Sequence, residues 1–261
     1  MRTALTIAGS DSSGGAGVQA DLKTFAAHGV FGLTAITVVT AQNTLTVSAT
    51  FPLPPDLVAR QIEAIATDLA PAATKIGMLG TAAIAGAVAQ AVASLRLPNV
   101  VLDPVMAAKS GARLLDDDAV DVLIHRLLPL ATVVTPNVPE AERLTGVRIG
   151  TVGEMRQAAR RLVDAGVRAV LVKGGHLEGP AIDVLDDGRE VREFRADRIA
   201  SRQTHGTGCT LSSAIAAKLA LGDDLPTAID RAKAYVTRAI AEAPGLGHGH
   251  GPLQHFPARL Y

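Results

Sequence analysis

The chain has 261 residues, enough for one large α/β domain, and 48% of them are hydrophobic, so a sizeable core can be buried. Its 25 basic and 25 acidic residues cancel, which removes the electrostatic argument for a nucleic acid or an anionic membrane as a partner. The single cysteine, Cys209, excludes an internal disulfide framework and fits a reducing compartment. No apolar run is long enough for a signal peptide or a membrane span, so we expect a soluble, cytoplasmic protein.

Short runs typical of β-strands alternate with longer helical patterns along the chain. Apolar runs that end at turn residues predict buried strands, and apolar residues three or four positions apart predict helices. In chain order, the sequence predicts strand 5–8, helix 18–28, strand 33–40, helices 56–69 and 81–95, strands 100–102 and 132–135, helix 152–165, strands 169–172, 182–185 and 191–194, and helices 210–221 and 225–243. The turn at Asp186-Asp187-Gly188 predicts that the last two strands form a hairpin.

This alternation of strands and helices predicts an α/β fold. Because the strand runs are apolar on both faces, we expect a mostly parallel central sheet with helices on both faces. No linker, internal repeat or low-complexity tract interrupts the chain, so we expect a single domain over residues 1–261. In such sheets ligands bind beyond the carboxyl ends of the strands, where most residues of chemical interest fall in this sequence.

A glycine-rich segment, GSDSSGGAG at 9–17, joins the first predicted strand to the first helix. Glycines let a backbone approach a ligand, and a helix N-terminus offers unpaired N–H groups. Residues 15–20 match a relaxed dinucleotide-binding pattern, but that pattern requires an acidic residue about twenty positions on, and none lies between Lys23 and Asp56. No Gly-Lys-Ser/Thr follows, so the segment is not a P-loop. A flexible turn is the alternative to the ligand-lining loop that we favour.

The segment THGTGCT at 204–210 stands immediately before an alanine-rich helix. Two glycines and a helix start bring several backbone N–H groups around one point, which predicts an anion hole. Cys209 would then lie at the helix N-terminus, where the helix dipole lowers the pKa of a thiol and favours the thiolate. The alternative is a glycine-rich turn with a buried structural cysteine, and the residues alone do not decide between the two.

Other polar positions at strand ends carry both a structural and a functional interpretation. Asn137 with Glu140 matches a helix capping box, and the same pair could help to hold a hydrated Mg²⁺. Lys173 ends a strand and could place an ammonium group on a phosphate, although a solvated turn lysine is the commoner case. Lys109-Ser110-Gly111 has the same ambiguity.

Beyond these single motifs, seven segments follow one another in a specific order. They are AGSDSSGGAG at 8–17, QADLKT at 19–24, AQNT at 41–44, KIGM at 75–78, LDPVM at 102–106, KGGH at 173–176 and HGTGCT at 205–210. The set resembles the hydroxymethylpyrimidine/phosphomethylpyrimidine kinases of thiamin biosynthesis, in the ribokinase superfamily. Any one segment is a weak signal, whereas the set is highly specific, and the likeness runs from Leu5 to about Phe256.

The resemblance implies a single ribokinase-like domain and an ATP-dependent kinase. Such an enzyme phosphorylates 4-amino-5-hydroxymethyl-2-methylpyrimidine to its monophosphate and then to the diphosphate. The implied cofactors are ATP and Mg²⁺, and we expect a homodimer. A neutral alcohol needs a proton acceptor or strong electrostatic help, while a phosphate oxygen is already anionic. Since phosphoryl transfer is mostly positioning and charge stabilisation, one anion hole with Mg²⁺ could serve both steps.

The resemblance also implies roles for individual residues. The anion hole would be formed by Gly206, Thr207, Gly208 and Cys209, with Cys209 where most members of the superfamily carry an aspartate. The substrate pocket would be lined by Gly9, Asp21, Gln42, Met78 and Val105, with Gln42 reading the pyrimidine. ATP and Mg²⁺ would be held by Asp103, Asn137, Glu140, Lys173 and Lys233, with Asp103 and Glu140 reaching the metal through water.

Three other functions compete with this interpretation. A pyridoxal kinase is the nearest alternative, since close relatives share the cysteine-type anion hole and some phosphorylate both compounds. A pyrimidine-binding regulator that has lost catalysis is a second alternative, and the intact 206–209 segment argues against it. A dinucleotide-dependent oxidoreductase is the third, weakened by the missing acidic residue after the glycine-rich segment.

Overall fold

The computed structural model describes residues 1–108 and 111–256, so Lys109 and Ser110 lie outside the described residues. In chain order its elements are β1 Thr3–Asp11, α1 Gly17–Ala27, β2 Phe31–Gln42, β3 Val47–Pro52, α2 Pro55–Asp68, β4 Ala73–Ile76, α3 Ala82–Ser94, β5 Val100–Leu102, α4 Asp117–Val122, β6 Val133–Val134, α5 Val138–Thr145, α6 Val152–Asp164, β7 Val170–Val172, β8 Ala181–Asp186, β9 Val191–Ala196, α7 Thr207–Ala220 and α8 Leu225–Ala241. None of the helices in the described ranges combines the length and the hydropathy that a membrane span requires.

The nine strands of the described residues form one sheet, in the order β3-β2-β1-β4-β5-β6-β7-β8-β9. From β2 through β1 and β4 to β7, neighbouring strands pair in parallel. Antiparallel β3 extends one edge of this parallel block, and the antiparallel hairpin β8–β9 extends the other. The predicted mostly parallel sheet and the predicted hairpin are both confirmed.

Alternate strand residues enter two apolar clusters, one on each face of the sheet. Leu5 and Ile7 of β1 join the cluster formed with α2, α3, α4, α5 and α6, whereas Ala4 joins the cluster formed with α1, α7 and α8. β5 divides in the same way, with Val101 in the second cluster and its two neighbours in the first. Because successive side chains of a strand point to opposite faces, helices cover both faces of the sheet, as the sequence predicts.

Three stretches have regular structure that the predicted elements omit: the buried four-residue strand β4, the edge strand β3, and the segment between β5 and β6. β3 has mostly exposed side chains, so it lacks the alternation that marks a half-buried strand. Between β5 and β6, α4 passes directly into a π-helical turn at Leu123–Leu127 and a 3₁₀ turn at Leu128–Leu130. Three helical periods in succession blur the repeat of 3.6 residues on which a helix prediction depends.

The parallel arrangement brings the ends of distant segments to one edge of the sheet. The carboxyl ends of the parallel strands lead into the segments that contain Gln42, Met78, Asp103, Asn137 and Lys173. The register of β1 against β2 shifts between Ala8 and Ser10, so β1 is irregular where it reaches this edge. The candidate site therefore lies where open α/β sheets bind ligands.

Candidate active site

A cavity of about 840 Å³ opens at the carboxyl ends of the parallel strands. This volume is at the upper end of the range of about 300–1,000 Å³ that is usual for ligand sites. All but one of the site residues predicted from the sequence line this cavity: Gly9, Gln42, Met78, Asp103, Val105, Asn137, Glu140, Lys173, Gly206, Thr207, Gly208, Cys209 and Lys233. The exception is Asp21.

The turn before α7 requires glycine at its first position. Gly206 has a φ of 76°, in the left-handed region, and a Cβ there would lie 1.9 Å from the carbonyl oxygen of Gly15. The close approach fastens this turn to the glycine-rich loop after β1. α7 begins at Thr207, so the N–H groups of its first turn and the positive end of its dipole are presented to the cavity by residues 206–209.

A lysine–aspartate pair lies over this turn. Lys173 Nζ donates to Asp103 Oδ1 at 2.6 Å, and a Cβ on Gly208 would lie 3.2 Å from the same Nζ. Burial lowers the pKa of Lys173, but the carboxylates of Asp103 and Glu140 outweigh it and raise the pKa above its ordinary value. Lys173 is therefore a permanent cation beside the first turn of α7.

Glu140 caps α5 and also lines the cavity. Its Oε2 accepts from the Asn137 N–H at 2.8 Å, and its own N–H donates to Asn137 Oδ1 at 2.9 Å, so the predicted capping box is present. Burial raises the pKa of Glu140 to about 7, and the neighbouring Asp103 carboxylate adds to the rise, while Lys173 opposes it. Glu140 therefore has two features: it caps α5, and it places in the cavity a carboxyl group whose pKa is close to neutral pH.

The donor set tests whether the cavity suits Mg²⁺. Within the described residues, no group of three or more His, Cys, Asp and Glu side chains could hold a metal ion by itself. Asp103 and Glu140 are two carboxylates that line the cavity beside a lysine. Mg²⁺ usually keeps several waters and binds through one or two carboxylates together with substrate phosphates. The residues present therefore fit a metal that arrives with a nucleotide.

The surroundings of Cys209 favour the neutral thiol and not the expected thiolate. The thiol is partly buried, and this desolvation raises its pKa to about 11, although the ammonium of Lys75 opposes the rise. The carboxylates of Asp21 and Asp103 raise the pKa further. The prediction of a lowered pKa is therefore wrong for this site, because burial among carboxylates outweighs the position at a helix N-terminus. Cys209 is a neutral thiol at neutral pH.

Gln42 has an amide group that is weakly engaged inside the protein. Its Nε2 lies 3.4 Å from His205 Nε2, and its Oε1 lies 3.3 Å from Thr40 Oγ1. The His205 Nε2 proton is directed to Asp11 and the Thr40 hydroxyl to the Ser10 carbonyl, at 2.8 and 3.0 Å, so neither contact with Gln42 is a strong hydrogen bond. The amide is therefore available to a ligand with one donor and one acceptor.

An apolar wall borders the same part of the cavity. Met78 and Val105 follow the neighbouring parallel strands β4 and β5 and both line the cavity. A Cβ on Gly9 would lie 3.0 Å from the Met78 sulfur, which places Gly9 and Met78 in direct contact. Gly9, Met78 and Val105 thus line one cavity, and their contacts with a substrate stay a prediction.

The predicted place of Asp21 in the pocket lining is corrected by the structure. Its side chain is fully buried beneath the cavity and accepts hydrogen bonds from Thr6 and Ser213 and from the ammonium of Lys75. Because the Lys75 ammonium contacts both oxygens, four hydrogen bonds occupy the lone pairs of this carboxylate and leave none for a ligand. Asp21 is a structural neighbour of the site.

The far end of the cavity is formed by α8 and β9. Lys233 donates to Asp183 at 2.7 Å, and both residues line the cavity. Val236 and Ile240 follow Lys233 on the same face of α8 and also line it. Sequence periodicity predicts α8 but does not distinguish a face that meets the core from one that meets a cavity.

Among the polar residues of the site that have no predicted role, two are hydrogen-bonded to each other. Asp11 and His205 are both buried, line the cavity and lie 2.8 Å apart, from Oδ2 to Nε2. Each lies inside a segment that carries the family resemblance, and this location is the signal by which the sequence could have identified them. A hydrogen bond between residues 194 positions apart has no local sequence signal.

The whole-chain comparisons decide the family. A model of the phosphomethylpyrimidine kinase family matches residues 11–254. The chain belongs to the phosphomethylpyrimidine kinase family. It is 47% identical to the hydroxymethylpyrimidine/phosphomethylpyrimidine kinase of Haemophilus influenzae, over 98% of this chain and 97% of that protein. It is 53% identical to the thiamine biosynthesis bifunctional protein ThiED of Geobacter sulfurreducens over 97% of this chain, and it spans about half of that longer protein, 52%.

Solved structures of this phosphomethylpyrimidine kinase family and of pyridoxal kinases share the fold. The phosphomethylpyrimidine kinase from Clostridium difficile 630 superposes with a TM-score of 0.82 at 44% identity, over 92% of this chain and all of that chain, 100%. An ADP complex of Bacillus subtilis pyridoxal kinase superposes with a TM-score of 0.90 at 40% identity, over 98% of this chain and 97% of that chain. The ribokinase-like fold implied by the sequence resemblance is confirmed.

Proposed function

We propose that this kinase phosphorylates 4-amino-5-hydroxymethyl-2-methylpyrimidine with ATP and then phosphorylates the resulting monophosphate. The observation that carries the proposal is that Gln42 and the anion-hole turn line the same cavity and are connected through His205. His205 lies 3.4 Å from the Gln42 amide and immediately precedes Gly206. An aminopyrimidine held by Gln42 would thus direct its hydroxymethyl group toward residues 206–209.

The residues of the cavity divide the work of phosphoryl transfer. The amide of Gln42 matches an aminopyrimidine, whose ring nitrogen accepts and whose exocyclic amine donates. Lys173 places an ammonium group at the nucleotide phosphates, and Lys233 lies near the nucleotide. The first turn of α7 supplies backbone N–H donors to the phosphoryl group in transit. Asp103 and Glu140 would hold Mg²⁺ through water, and Mg²⁺, when bound, neutralises the charge on adjacent phosphates.

Cys209 contributes to the two steps in different ways. In the first step the acceptor is an alcohol, and the Cys209 sulfur is the side-chain atom of the anion-hole turn that could take its proton. A thiol pKa of about 11 makes the thiolate scarce at neutral pH, so only a small fraction of the enzyme holds Cys209 in the form that accepts this proton. In the second step the acceptor is an anionic phosphate oxygen, which needs no base.

Pyridoxal phosphorylation is the alternative function, because solved pyridoxal kinases share this fold. Bacillus subtilis pyridoxal kinase superposes with a TM-score of 0.90 over nearly the whole of both chains. Pyridoxal also carries a hydroxymethyl group on a nitrogen heterocycle, but it lacks the exocyclic amine. The predicted specificity therefore rests on the donor and acceptor pair of Gln42.

A coupled assay of ATP consumption tests the proposal with three acceptors. The acceptors are the aminopyrimidine alcohol, its monophosphate and pyridoxal, each with Mg²⁺ and with excess chelator. We expect turnover of the first two, slower turnover of pyridoxal, and no turnover with chelator. Turnover of pyridoxal alone would replace the proposed function with the alternative, and full activity in chelator would remove Mg²⁺ from the mechanism.

We also propose that residues 1–261 form one domain, and that two copies of the chain form a homodimer in the cytoplasm. Support for the dimer comes from the β3 edge of the sheet, where Phe51 is 66% exposed and Val39 of the neighbouring strand is 43% exposed. An exposed edge strand with apolar side chains is a surface that pairs readily with another chain. Sedimentation velocity measures the mass, and a monomer at micromolar concentration would contradict the dimer.

A further inference from the structure

A lysine in the centre of the sheet is buried without direct access to the cavity. Lys75 lies on β4, where every residue is buried, and its own exposure is 0%. It is not among the residues that line the cavity. A charged side chain at such a position is costly unless it is paired, so its presence calls for a reason beyond packing.

The partner of Lys75 is Asp21, and the pair is tied to both sides of the site. Lys75 Nζ lies 2.9 Å from Asp21 Oδ2 and 3.1 Å from Oδ1. Thr6 of β1 and Ser213 of α7 each donate to the same carboxylate at 2.6 Å. The pair therefore links the central strand β1 to the helix that begins with the anion-hole turn.

The position of Ser213 relates this network to Cys209. The two residues are four positions apart on α7, so they lie on the same face of the helix, one turn from each other. α7 packs against both β4 and α1, which carry Lys75 and Asp21. Lys75 is therefore buried between α7 and the sheet, while Lys173 lines the cavity.

The charges around Cys209 come from several elements. Lys75 on β4 lowers the pKa of the thiol, and Asp21 on α1 and Asp103 after β5 raise it, all after the larger effect of burial. Lys173 after β7 is also within electrostatic reach of Cys209. Burial lowers the pKa of Lys75, but the charge of Asp21, with a smaller contribution from Asp103, outweighs it and raises the pKa above its ordinary value, so the ammonium persists throughout the range in which enzymes work.

We propose that Lys75 is a positioning residue for phosphoryl transfer, a buried permanent cation that acts through Cys209 and favours negative charge at the anion-hole turn. Asp21 fixes the ammonium in place and limits its field. The consequence for catalysis rests on the proposed function, whereas the effect on the thiol does not. A purely structural ion pair would hold α7 to the sheet without any influence on the acidity of Cys209.

The charge of the thiol can be measured without turnover, because Cys209 is the single cysteine of the chain. The rate of its alkylation by iodoacetamide reports the thiolate fraction and is followed from pH 7.5 to 10.5 on the full chain. The variants are Lys75→Met, Asp21→Asn and the double variant with both changes. Ser213→Ala is the matched control, since it removes one hydrogen bond to Asp21 and no charge.

An electrostatic role predicts opposite effects for the two members of the pair. Lys75→Met is expected to slow alkylation at pH 9 by about tenfold, which corresponds to a rise of one pKa unit, and Asp21→Asn to accelerate it. Ser213→Ala is expected to stay within about twofold of the wild type. Changes of the same sign in Lys75→Met and Asp21→Asn, or no change in either, would overturn the proposal.

A further comparison keeps the test decisive if Lys75→Met does not fold. The double variant is compared with Asp21→Asn, so both proteins have an uncharged residue at position 21 and differ only in Lys75. We expect Cys209 of the double variant to be alkylated about tenfold more slowly. Equal rates would overturn the proposal. A normal wild-type thiol titration with no kinase activity would count against the proposed function alone, because alkylation is independent of turnover.

Discussion

The imidazole of His205 and the carboxylate of Asp11 form a hydrogen bond of 2.8 Å that joins the two glycine-rich segments of the site. The same carboxylate accepts from the N–H groups of Ser13 and Ala16, both at 2.8 Å, so it also organises the loop after β1. Burial raises the pKa of Asp11, but the hydrogen bonds from His205 and Ser13 outweigh it and leave the pKa below its usual value. The ionised carboxylate therefore holds the loop and the anion-hole turn in one geometry.

Asp11→Asn is expected to weaken this connection while it preserves the size of the side chain. The amide keeps one acceptor oxygen, so at least one of the donors loses its partner. Hydrogen bonds to charged groups contribute roughly 1.5–3 kcal/mol, so we expect kcat/KM to fall about 10- to 100-fold. Steady-state kinetics with the alcohol measures the loss. A variant with wild-type kcat/KM would show that Asp11 serves stability alone.

Gln42→Leu is expected to weaken binding of the aminopyrimidine. The polar edge of the ring would be left desolvated and unpaired, which costs about 1–3 kcal/mol. Pyridoxal lacks the exocyclic amine and should lose less affinity. Calorimetric titration of the wild type and the variant with both compounds measures the difference, and unchanged affinities would place Gln42 outside the ligand site.

Cys209→Ala is expected to reduce phosphorylation of the alcohol far more than phosphorylation of the monophosphate. The alcohol must lose a proton, and removal of a general base usually costs about 10²–10⁴-fold, whereas a phosphate oxygen is already anionic. Parallel measurements of kcat/KM for the two acceptors provide the comparison. Equal losses would show that Cys209 shapes the anion hole and takes no proton.

Glu140→Gln is expected to reduce kinase activity while α5 stays capped, since glutamine also serves in a capping box. Its effect on stability depends on pH. The folded-state pKa of Glu140 is raised from 4.5 to about 7, so its contribution to stability is fully present below pH 4.5 and is lost as the pH rises through 7.

The Glu140→Gln variant should therefore lack that dependence. Chemical denaturation between pH 4 and 8 would show a flatter curve for the variant than for the wild type. A lowered melting temperature with undiminished activity would mean that capping is the whole role of Glu140.

His255 provides a titration with the opposite sign. It is buried and contacts Thr210 of α7 at 3.1 Å, and burial lowers its pKa from 6.5 to about 4, with the charge of Lys23 as a second cause. A lowered histidine pKa contributes stability above pH 6.5 that is lost as the pH falls through 4. The stability difference between the wild type and His255→Asn should shrink over this range. A constant difference would place the histidine pKa at its ordinary value.

The parts of the molecule that can be predicted from the sequence are those marked by a pattern among neighbouring residues, such as hydrophobic periodicity or a capping pair. Most apolar strands and most helices are predicted within a few residues, although the four-residue strand β4 is missed. The capping box at Asn137 is visible as a pair three positions apart. β3 and the mixed helical segment at 117–130 have no such signal, because exposed strands and changing helical periods leave no regular repeat. The thiol pKa of Cys209 depends on Lys75, Asp21 and burial together, which are properties of packing.

The order of synthesis adds a consequence to the burial of Asp21 and Lys75. Both residues are made within the first third of the chain, Lys75 on the inner strand β4 and Asp21 on α1, which packs against β1. The helix that covers them, α7, begins only at Thr207, and its Ser213 completes the shell of donors around Asp21. A growing chain on the ribosome therefore carries this ion pair open to water until its last quarter emerges, and the same event closes the core and assembles the catalytic turn.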